Sequence, residues 1–353
     1  MIRLKIFSFL FIFILLTVSC TKDKKDVPEI SQWDHCVFII NEGPFVNGTG
    51  SIMSYDRTSG QVTEDLFESV NGRPAGNVVQ SVTVYRNMIW IAVNKSNKVE
   101  IVRYEDFSSV ASVDSLPQPR YIVFKDDRAF VSSWDNKIVV IDVNSYKILD
   151  ELPAGTGPDE MVIAGDYLFS ISTGGLVTDH TVAFVNIDDK EDHGEIQVGE
   201  HPCSIVKDNK GMLWVLCAGN GWNGWPNPDT DTPGRLICID PVLKEINTDL
   251  AFTDPSNHPD NMVISADGSQ MFYCYPDGIY KILTVDPAVP GTRLLSSDIM
   301  YYGMGYDEQE RMIYASDPLD YNQNGIIYRF NADDGTLVDH FTGGIIPNGF
   351  WFN

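Results

Sequence analysis

One short pattern in the sequence repeatedly places a polar side chain two residues after a proline. It reads proline, two variable residues and two apolar residues, and it begins at Pro119, Pro158, Pro202 and Pro259, with looser copies at Pro74, Ser297 and Pro347. The residues that we assign to position +2 are Asn77, Tyr121, Glu160, Ser204, Asn261, Asp298 and Gly349. If the repeats bring these positions together, four of them offer the oxygen ligands that Ca²⁺ prefers, namely Asn77, Glu160, Asn261 and Asp298. A bound Ca²⁺ can polarise an ester or lactone carbonyl, whereas the alternative is a polar, water-lined channel without catalysis.

A second candidate site is the segment GNGWNGWPNPDTDTPG, residues 219–234. Trp222 and Trp225 can stack on a flat or apolar ligand, or they can pack within the loop and hold it in place. Asp229 and Asp231 alternate as in some calcium loops, but the glycine and glutamate of the EF-hand pattern are absent. A solvated turn is therefore the simpler interpretation of the two aspartates.

Catalytic motifs are scarce. The sequence contains no H-E-x-x-H, no G-x-S-x-G and no phosphate-binding loop of the G-x-x-x-x-G-K type. His201 and His258 each precede a repeat proline, and a structural role is the simpler interpretation of both. An enzyme is therefore the least favoured class of function.

The elements that must position these residues are short strands. Alternating apolar stretches such as MIWIAV at residues 88–93 and KIVVIDV at residues 137–143 are separated by turn signals such as DNK and DDGT. Each proline motif is followed by three further strands, and the unit repeats about every 40 to 50 residues, which is typical of a propeller blade. We predict an all-β, seven-bladed β-propeller of four-stranded blades.

The ends of the chain indicate how the ring closes. The first blade lacks a preceding inner strand, and PNGFWF at residues 347–352 supplies it, so that the C-terminal strand completes the first blade and no wide sheet edge is left exposed. In such a fold, the loops before the inner strands and those between the second and third strands share one face, here called the top face. The candidate ligand-binding residues on this face are Trp134, Trp222, Trp225, Tyr275, Tyr321, Arg120, Asn97 and Asn322, with Phe45 beside them.

The N-terminus resembles a lipoprotein export signal. Arg3 and Lys5 precede an apolar run, and LTVSC ends at Cys20, the predicted site of acylation; an ordinary secretory signal is the alternative. We predict a signal peptide over residues 1–20, a flexible polar tether over 21–34 and the propeller over 35–353. TKDKKD at residues 21–26 resembles the charged signal that directs lipoproteins of the Bacteroidetes to the outer surface. This resemblance implies a lipid anchor in the outer membrane with the protein on the cell surface, and a periplasmic orientation is the alternative.

The charge and the cysteine content limit the classes of partner and of metal site that the sequence predicts. Without Arg3 and Lys5, the chain has 23 basic and 49 acidic residues, a formal charge of −26, which disfavours nucleic acid and anionic lipid. Five cysteines remain after Cys20, and they show no metal-finger spacing. Cys217 and Cys238 can form a disulfide if they face each other, but buried free thiols are the more common case.

Three features together resemble a known group of proteins: FIINEGPFVNGTGSIMSYD at residues 38–56, the PDEMV-type repeats and DTPGRLICID at residues 231–240. They look like the Bacteroidetes YncE-like, DUF5074-type propeller lipoproteins, and the similarity covers essentially the whole mature chain. That group includes surface proteins that capture corrinoids (cobalamin or cobinamide) and pass them to a TonB-dependent transporter. The resemblance implies binding without turnover, no required cofactor and an outer-membrane transporter as partner.

Three hypotheses follow. The leading one is a surface lipoprotein that captures a ligand, a corrinoid by resemblance, on the propeller's top face. The second is a propeller that binds only a protein or a glycan, and the third is a Ca²⁺-dependent, lactonase-like hydrolase. The last requires Glu160, Asn261 and Asp298 to lie within coordination reach of one point.

Overall fold

Seven four-stranded antiparallel sheets make up the computed structural model, which describes residues 32–175 and 179–353. The seven-bladed, all-β prediction is therefore confirmed. In chain order the strands of the first three blades are β1 (Cys36–Asn41), β2 (Ser51–Asp56), β3 (Val62–Thr63), β4 (Val79–Tyr85), β5 (Met88–Val93), β6 (Lys98–Arg103), β7 (Ser109–Asp114), β8 (Pro119–Lys125), β9 (Arg128–Ser133), β10 (Lys137–Asp142) and β11 (Ile148–Pro153).

The remaining four blades continue the same order. Their strands are β12 (Pro158–Ala164), β13 (Tyr167–Ser172), β14 (Thr181–Asn186), β15 (His193–Gln197), β16 (Pro202–Lys207), β17 (Leu213–Cys217), β18 (Arg235–Asp240), β19 (Glu245–Ala251), β20 (Asp260–Ile264), β21 (Gln270–Tyr275), β22 (Gly278–Leu283), β23 (Thr292–Ser296), β24 (Gly303–Asp307), β25 (Met312–Asp317), β26 (Asn324–Asn331), β27 (Leu337–Ile345) and β28 (Pro347–Phe352).

The ring closes in the first blade, as the sequence predicts. That blade has the order β28-β1-β2-β3, so its inner strand comes from the C-terminus and its other three strands from the N-terminal part. The pairing runs from Val37 opposite Phe352 to Asn41 opposite Pro347. Because the last strand joins the first blade, β1 and β28 are held within one sheet.

The core lies between adjacent blades rather than at the centre of the ring. The second strand of a blade is buried on both faces, as in β9, where Ala129, Phe130 and Val131 are all fully buried. The fourth strand has mostly exposed residues, as in β7 and β11. Apolar residues in the second and third strands therefore account for most of the burial that stabilises each blade contact.

A short helix was not expected from the sequence. Between β3 and β4, α1 (Leu66–Asn71) begins after Asp65, whose carboxylate caps the backbone N–H of Glu68. Leu66 and Phe67 are buried in the core shared by the first two blades. Since β3 has only two residues, these two side chains supply packing that a longer outer strand would otherwise provide.

Left-handed residues mark where the inner strands begin. The residue just before the strand has a positive φ in five blades: Val78 (58°), Gln118 (46°), Gly157 (58°), His201 (53°) and Ile346 (53°). For Val and Ile this conformation is strained, and its recurrence shows that the same backbone turn leads into each of these strands. Val79 therefore corresponds to Pro119, and Pro74 lies five residues before it.

Two of the position +2 assignments are consequently wrong. In the second blade, position +2 is Ser81 rather than Asn77. In the seventh blade, Gly303 N donates to Ser316 Oγ at 2.9 Å, as Tyr121 N donates to Ser132 Oγ at 3.0 Å in the third blade, so Gly303 holds position +2. Asp298 is exposed in the loop before β24. Neither copy has a proline at the strand start, so sequence spacing could not establish its register.

The structure also differs from the possible disulfide between Cys217 and Cys238 and from the predicted end of the tether. Cys238 pairs with Trp214 and Cys217 with Arg235 across β17 and β18, and both thiols are free, so the possible disulfide is not formed. Cys20, the signal peptide and residues 21–31 of the tether lie outside the described residues. Trp33, assigned to the tether, packs edge-on against Phe38 at a ring-centroid distance of 6.0 Å, so the packed domain includes residues before 35.

Candidate functional site

The residues at position +1 of the inner strands, one after the proline, meet around the top of the central channel. We call this set the mouth ring, and its members are Gln80, Arg120, Asp159, Cys203, Asp260, Tyr302 and Asn348. A register irregularity in most of the inner strands, such as that between Pro119 and Ile122, changes the direction of the side chains there. The sequence prediction emphasised position +2 and so included only Arg120 from this ring.

Arg120 is the one cation of the mouth ring. Its Nη2 lies 3.0 Å from Asp159 Oδ2, its Nη1 donates to Gln80 Oε1, and its guanidinium lies 4.3 Å from the ring centroid of Trp134. Asp159 is buried. The cation–π contact and the ion pair fix the guanidinium in one orientation, which gives the mouth a preorganised donor group.

Glu42 reaches the mouth ring from the loop between β1 and β2. Its Oε1 accepts hydrogen bonds from Tyr302 Oη at 3.2 Å and from Asn348 Nδ2 at 3.1 Å. Burial raises the pKa of the Glu42 carboxyl, and the two hydrogen bonds and nearby Arg120 only partly offset this effect. At the channel entrance the carboxyl therefore links the loop after β1 to the start of β24 in the seventh blade and to the closing strand β28.

Asp260 faces the channel and forms no salt bridge in the described part of the chain, although His201 lies close enough to lower its pKa. Its Oδ1 accepts from Asn261 N at 2.8 Å, and the side chain is open to the channel while the inner strands surround it on the other sides. Loss of surrounding water raises its pKa, and the charge of Asp159 adds to the rise. The entrance therefore carries excess negative potential that favours a cationic or hydrogen-bonding ligand.

The residues at position +2 connect neighbouring blades. Glu160 Oε2 accepts from Ile205 N at 3.0 Å, Ser204 Oγ accepts from Met262 N at 3.0 Å, and Asn261 Nδ2 donates to Tyr302 O at 3.2 Å. Ser81 Oγ donates to Arg120 O at 2.6 Å. These side chains therefore bond to the inner strand of the next blade, a role that the calcium hypothesis did not anticipate.

The four proposed calcium ligands do not form the predicted ring. Asn77 Nδ2 donates to the backbone carbonyl of Gly48 at 2.5 Å. Neither Asn77 nor Asp298 holds position +2 of its blade, which belongs to Ser81 and Gly303. Within residues 32–175 and 179–353, no three or more His, Cys, Asp or Glu side chains are grouped so that they could hold a metal ion. The hydrolase hypothesis stays a prediction.

An aromatic pocket opens on the top face beside the mouth ring. It has a volume of about 400 Å³ and is lined by Glu42, Pro44, Phe45, Val46, Tyr302, Tyr321, Asn322 and Ile346. The rings of Tyr302 and Tyr321 meet edge to face at 5.6 Å, and Lys95 Nζ lies 3.8 Å from the centroid of Phe45. The structure thus brings Tyr321, Asn322 and Phe45 together, while Glu42 and Tyr302 were missed.

The loop of residues 219–234 is held by polar contacts and not by its tryptophans. Asn223 donates to His258 O at 2.9 Å and accepts from His258 N at 2.9 Å. Gly221 passes so close to the buried His258 that a Cβ would lie 2.4 Å from Nε2. Trp222 and Trp225 are 74% and 79% exposed, so the hypothesis that they pack the loop is wrong.

The other predicted residues have structural contacts. Tyr275 stacks on Phe252 with ring centroids 5.4 Å apart, and burial raises its pKa to about 12. Asn97 Oδ1 accepts from Gln118 N at 2.9 Å. Asp231 accepts from Asn227 N at 2.6 Å within a turn, which agrees with the interpretation of that segment as a turn. The ring face of Trp134 contacts the Arg120 guanidinium.

No helix in the described parts of the chain is long and apolar enough to cross a bilayer.

Solved structures of other proteins share the fold at low sequence identity. The chain is 12% identical to the computationally designed Ika8 protein, with a TM-score of 0.58, covering 90% of this chain and 91% of that one. It is 13% identical to hydrazine synthase of Kuenenia stuttgartiensis, with a TM-score of 0.56 and coverage of 74% and 85%. For dihydro-heme d1 dehydrogenase NirN in complex with DHE, identity is 10%, the TM-score 0.56 and coverage 91% and 76%. These likenesses show the fold alone.

No curated protein matches the chain. A family model described as a domain of unknown function, DUF5074, matches residues 35–352, which is nearly all of the propeller with its closing strand. By this match the chain belongs to the DUF5074 family.

Proposed function

We propose that this protein captures a small molecule on the top face of the propeller without chemically changing it. The observation that carries the proposal is the pocket of about 400 Å³ with aromatic walls, which adjoins the mouth ring. Binding sites commonly combine apolar walls with a few fixed polar groups. Here Phe45, Tyr302 and Tyr321 supply the walls, and Glu42 and Asn322 supply the polar groups.

The finer proposal is that the ligand is a corrinoid, cobalamin or cobinamide. A corrin is a broad disc edged with amides, so it needs aromatic faces and scattered hydrogen-bonding groups. Asn322 and the mouth-ring amides of Gln80 and Asn348 supply such groups, and the exposed rings of Trp222 and Trp225 offer further apolar surface in a top-face loop of the fifth blade. Because the pocket is small for such a disc, the disc would lie across the face with one edge inserted. Cobinamide is cationic, which suits the acidic mouth.

Acylation of Cys20 would anchor the protein in the outer membrane, and, with the propeller on the cell surface, a TonB-dependent transporter would receive the ligand. The sequence of the N-terminus and the family resemblance support this part of the proposal.

The test is isothermal titration calorimetry of the purified protein with cobalamin and cobinamide. We expect saturable binding that weakens about two- to tenfold in each of the variants Tyr321→Ala, Trp222→Ala and Trp225→Ala, because each removes an aromatic contact worth about 0.5 to 1.5 kcal/mol. Val242→Ala is the matched control, since Val242 is 85% exposed in the turn between β18 and β19, away from the top-face loops. It should leave binding unchanged.

Two outcomes would contradict the proposal in different ways. If a corrinoid binds but none of the three aromatic substitutions weakens its binding, the binding site is not the proposed one on the top face. No heat with either corrinoid would exclude the corrinoid and favour a protein or glycan ligand, which the exposure of Trp222 and Trp225 also fits.

A further inference from the structure

A second cavity lies on the propeller axis, apart from the aromatic pocket. It has a volume of about 320 Å³ and is formed by the inner strands of four consecutive blades. Its lining is Tyr121, Ile122, Val123, Glu160, Met161, Ile205, Val206, Met262, Val263 and Ile264. Eight of these ten side chains are aliphatic or methionine, so a single carboxyl and a single phenol are the polar side chains of an otherwise apolar wall.

The buried carboxyl of Glu160 has few partners that could stabilise a negative charge. Its Oε2 accepts one backbone hydrogen bond from Ile205 N at 3.0 Å, and in the described part of the chain it forms no ion pair. The nearest guanidinium, that of Arg120, is already paired with Asp159. Burial of a carboxylate without a counter-ion is unfavourable, so a cation arriving in the cavity would gain a partner that the protein itself does not provide.

The titratable groups that face Glu160 come from all four strands. They are Arg120 and Tyr121 on β8, Asp159 on β12, Cys203 on β16 and Asp260, the first residue of β20. Burial, with smaller contributions from Asp159 and Asp260, raises the pKa of Glu160 to about 8. Near neutral pH the carboxyl therefore keeps its proton until a positive charge comes close.

We propose that the axial cavity binds a small amphiphilic organic cation, whose primary ammonium group pairs with Glu160 while its apolar part contacts the aliphatic side chains beside it. The apolar lining of the cavity favours a ligand with an apolar part, and the unpaired Glu160 carboxyl favours a ligand with a positive charge. The site is separate from the top-face pocket and does not depend on the proposed function.

The expected behaviour has a definite pH dependence. A cation that pairs with the carboxylate releases the carboxyl proton, so its affinity rises with pH until Glu160 is ionised in the free protein. Between pH 7 and pH 9 the ionised fraction of a group with a pKa of about 8 rises from about one tenth to about nine tenths. Affinity should therefore rise roughly tenfold over this range.

The experiment is calorimetric titration of the full protein with n-hexylammonium chloride, and with 1-hexanol as its neutral counterpart. An alkylammonium stays protonated at pH 9, as a lysine side chain does. We expect the tenfold rise for hexylammonium, none for hexanol, and proton release near pH 7 when two buffers of different ionisation enthalpy are compared. These measurements need only the unmodified protein.

Variants then locate the site. Glu160→Gln keeps an acceptor for Ile205 N, and it should abolish the pH-dependent rise and weaken hexylammonium binding at pH 9 about tenfold or more. Glu245→Gln, which removes one exposed carboxyl on β19, should behave like the unmodified protein. Tyr321→Ala should also bind hexylammonium normally, which separates this site from the top-face pocket.

Several results would overturn the inference. They are no hexylammonium binding at millimolar concentration, equal affinity at pH 7 and pH 9, hexanol binding as tight as hexylammonium binding, or a Glu160→Gln protein that binds unchanged.

Discussion

Arg57 Nε lies 2.6 Å from Asp307 Oδ2, and both side chains are almost completely buried, at 5% and 0% exposure. Arg57 directly follows β2 in the first blade, whereas Asp307 ends the inner strand of the seventh blade. The two residues are 250 positions apart in sequence, and the pair joins the first blade, in which the ring closes, to the neighbouring seventh blade. It adds an ionic contact to the hydrogen bonds between β1 and β28.

Removing one partner of this pair should destabilise the protein substantially. Arg57→Ala leaves Asp307 buried without its cation, and such losses cost about 3 to 5 kcal/mol. Urea unfolding followed by circular dichroism measures the change. Arg311→Ala is the control, because Arg311 and Asp333 form a pair that is about half exposed, worth at most about 1 kcal/mol. Equal losses in the two variants would show that the buried pair does not stabilise the closure.

Glu160 should make stability depend on pH. Its pKa in the folded protein is about 8, above the ordinary value of 4.5, so the folded state holds the proton more tightly than the unfolded chain. The stabilisation that the protonated Glu160 gives the folded state is fully present below pH 4.5 and is lost as pH rises towards 8. Between pH 4.5 and pH 9, the free energy of unfolding of Glu160→Gln should rise by about 2 kcal/mol relative to that of the unmodified protein. This is less than the full pKa difference implies, because the channel admits water.

Ser204→Ala provides the control for that measurement. It removes the corresponding hydrogen bond to Met262 N in the next blade without removing a titratable group. Its free energy of unfolding should differ from that of the unmodified protein by the same amount at each pH. If Glu160→Gln behaved in the same way, Glu160 would not be protonated in the folded protein.

The loop of residues 219–234 should depend on Asn223. Asn223→Ala removes both hydrogen bonds to the His258 backbone, so amide hydrogen exchange in the loop should speed up about tenfold while exchange in β17 and β18 is unchanged. Trp225→Ala should leave loop exchange as it is, because the ring is 79% exposed. Faster exchange in the tryptophan variant would mean that the ring contributes to holding the loop.

The five cysteines from Cys36 to Cys274 should remain reduced and unreactive in the folded protein. All are free thiols, and four are buried. Burial raises the pKa of Cys36 to about 11 and those of Cys217 and Cys238 to about 12, so little reactive thiolate forms at neutral pH. A thiol reagent such as DTNB should label these positions only after denaturation, and dithiothreitol should not change the melting temperature. A lower melting temperature with dithiothreitol would indicate a disulfide.

Most of the architecture was predictable from local sequence. Alternating apolar residues, turn signals and a repeated proline motif identify four-stranded blades because the side-chain period of a strand and the chemistry of a turn are local properties. The closing strand was predictable for the same reason, since PNGFWF is one more copy of the motif. Helix α1 was not, because six residues are too few to show a helical period.

The sites depended on tertiary structure. In the second and seventh blades the motif has no proline at the strand start, and only strand pairing shows that Ser81 and Gly303, rather than Asn77 and Asp298, hold position +2. The mouth ring forms because inner-strand irregularities direct position +1 towards the axis in blades that are distant in sequence. Asp159 and Asp260 each follow a repeat proline, but Tyr302 does not, and the motif alone does not show that position +1 faces the channel. The sequence by itself therefore determined the repeat, the number of blades and the closure, which follow from local patterns. The three-dimensional packing decided which side chains meet at the channel, because a few residues of register in each blade change which side chain faces it.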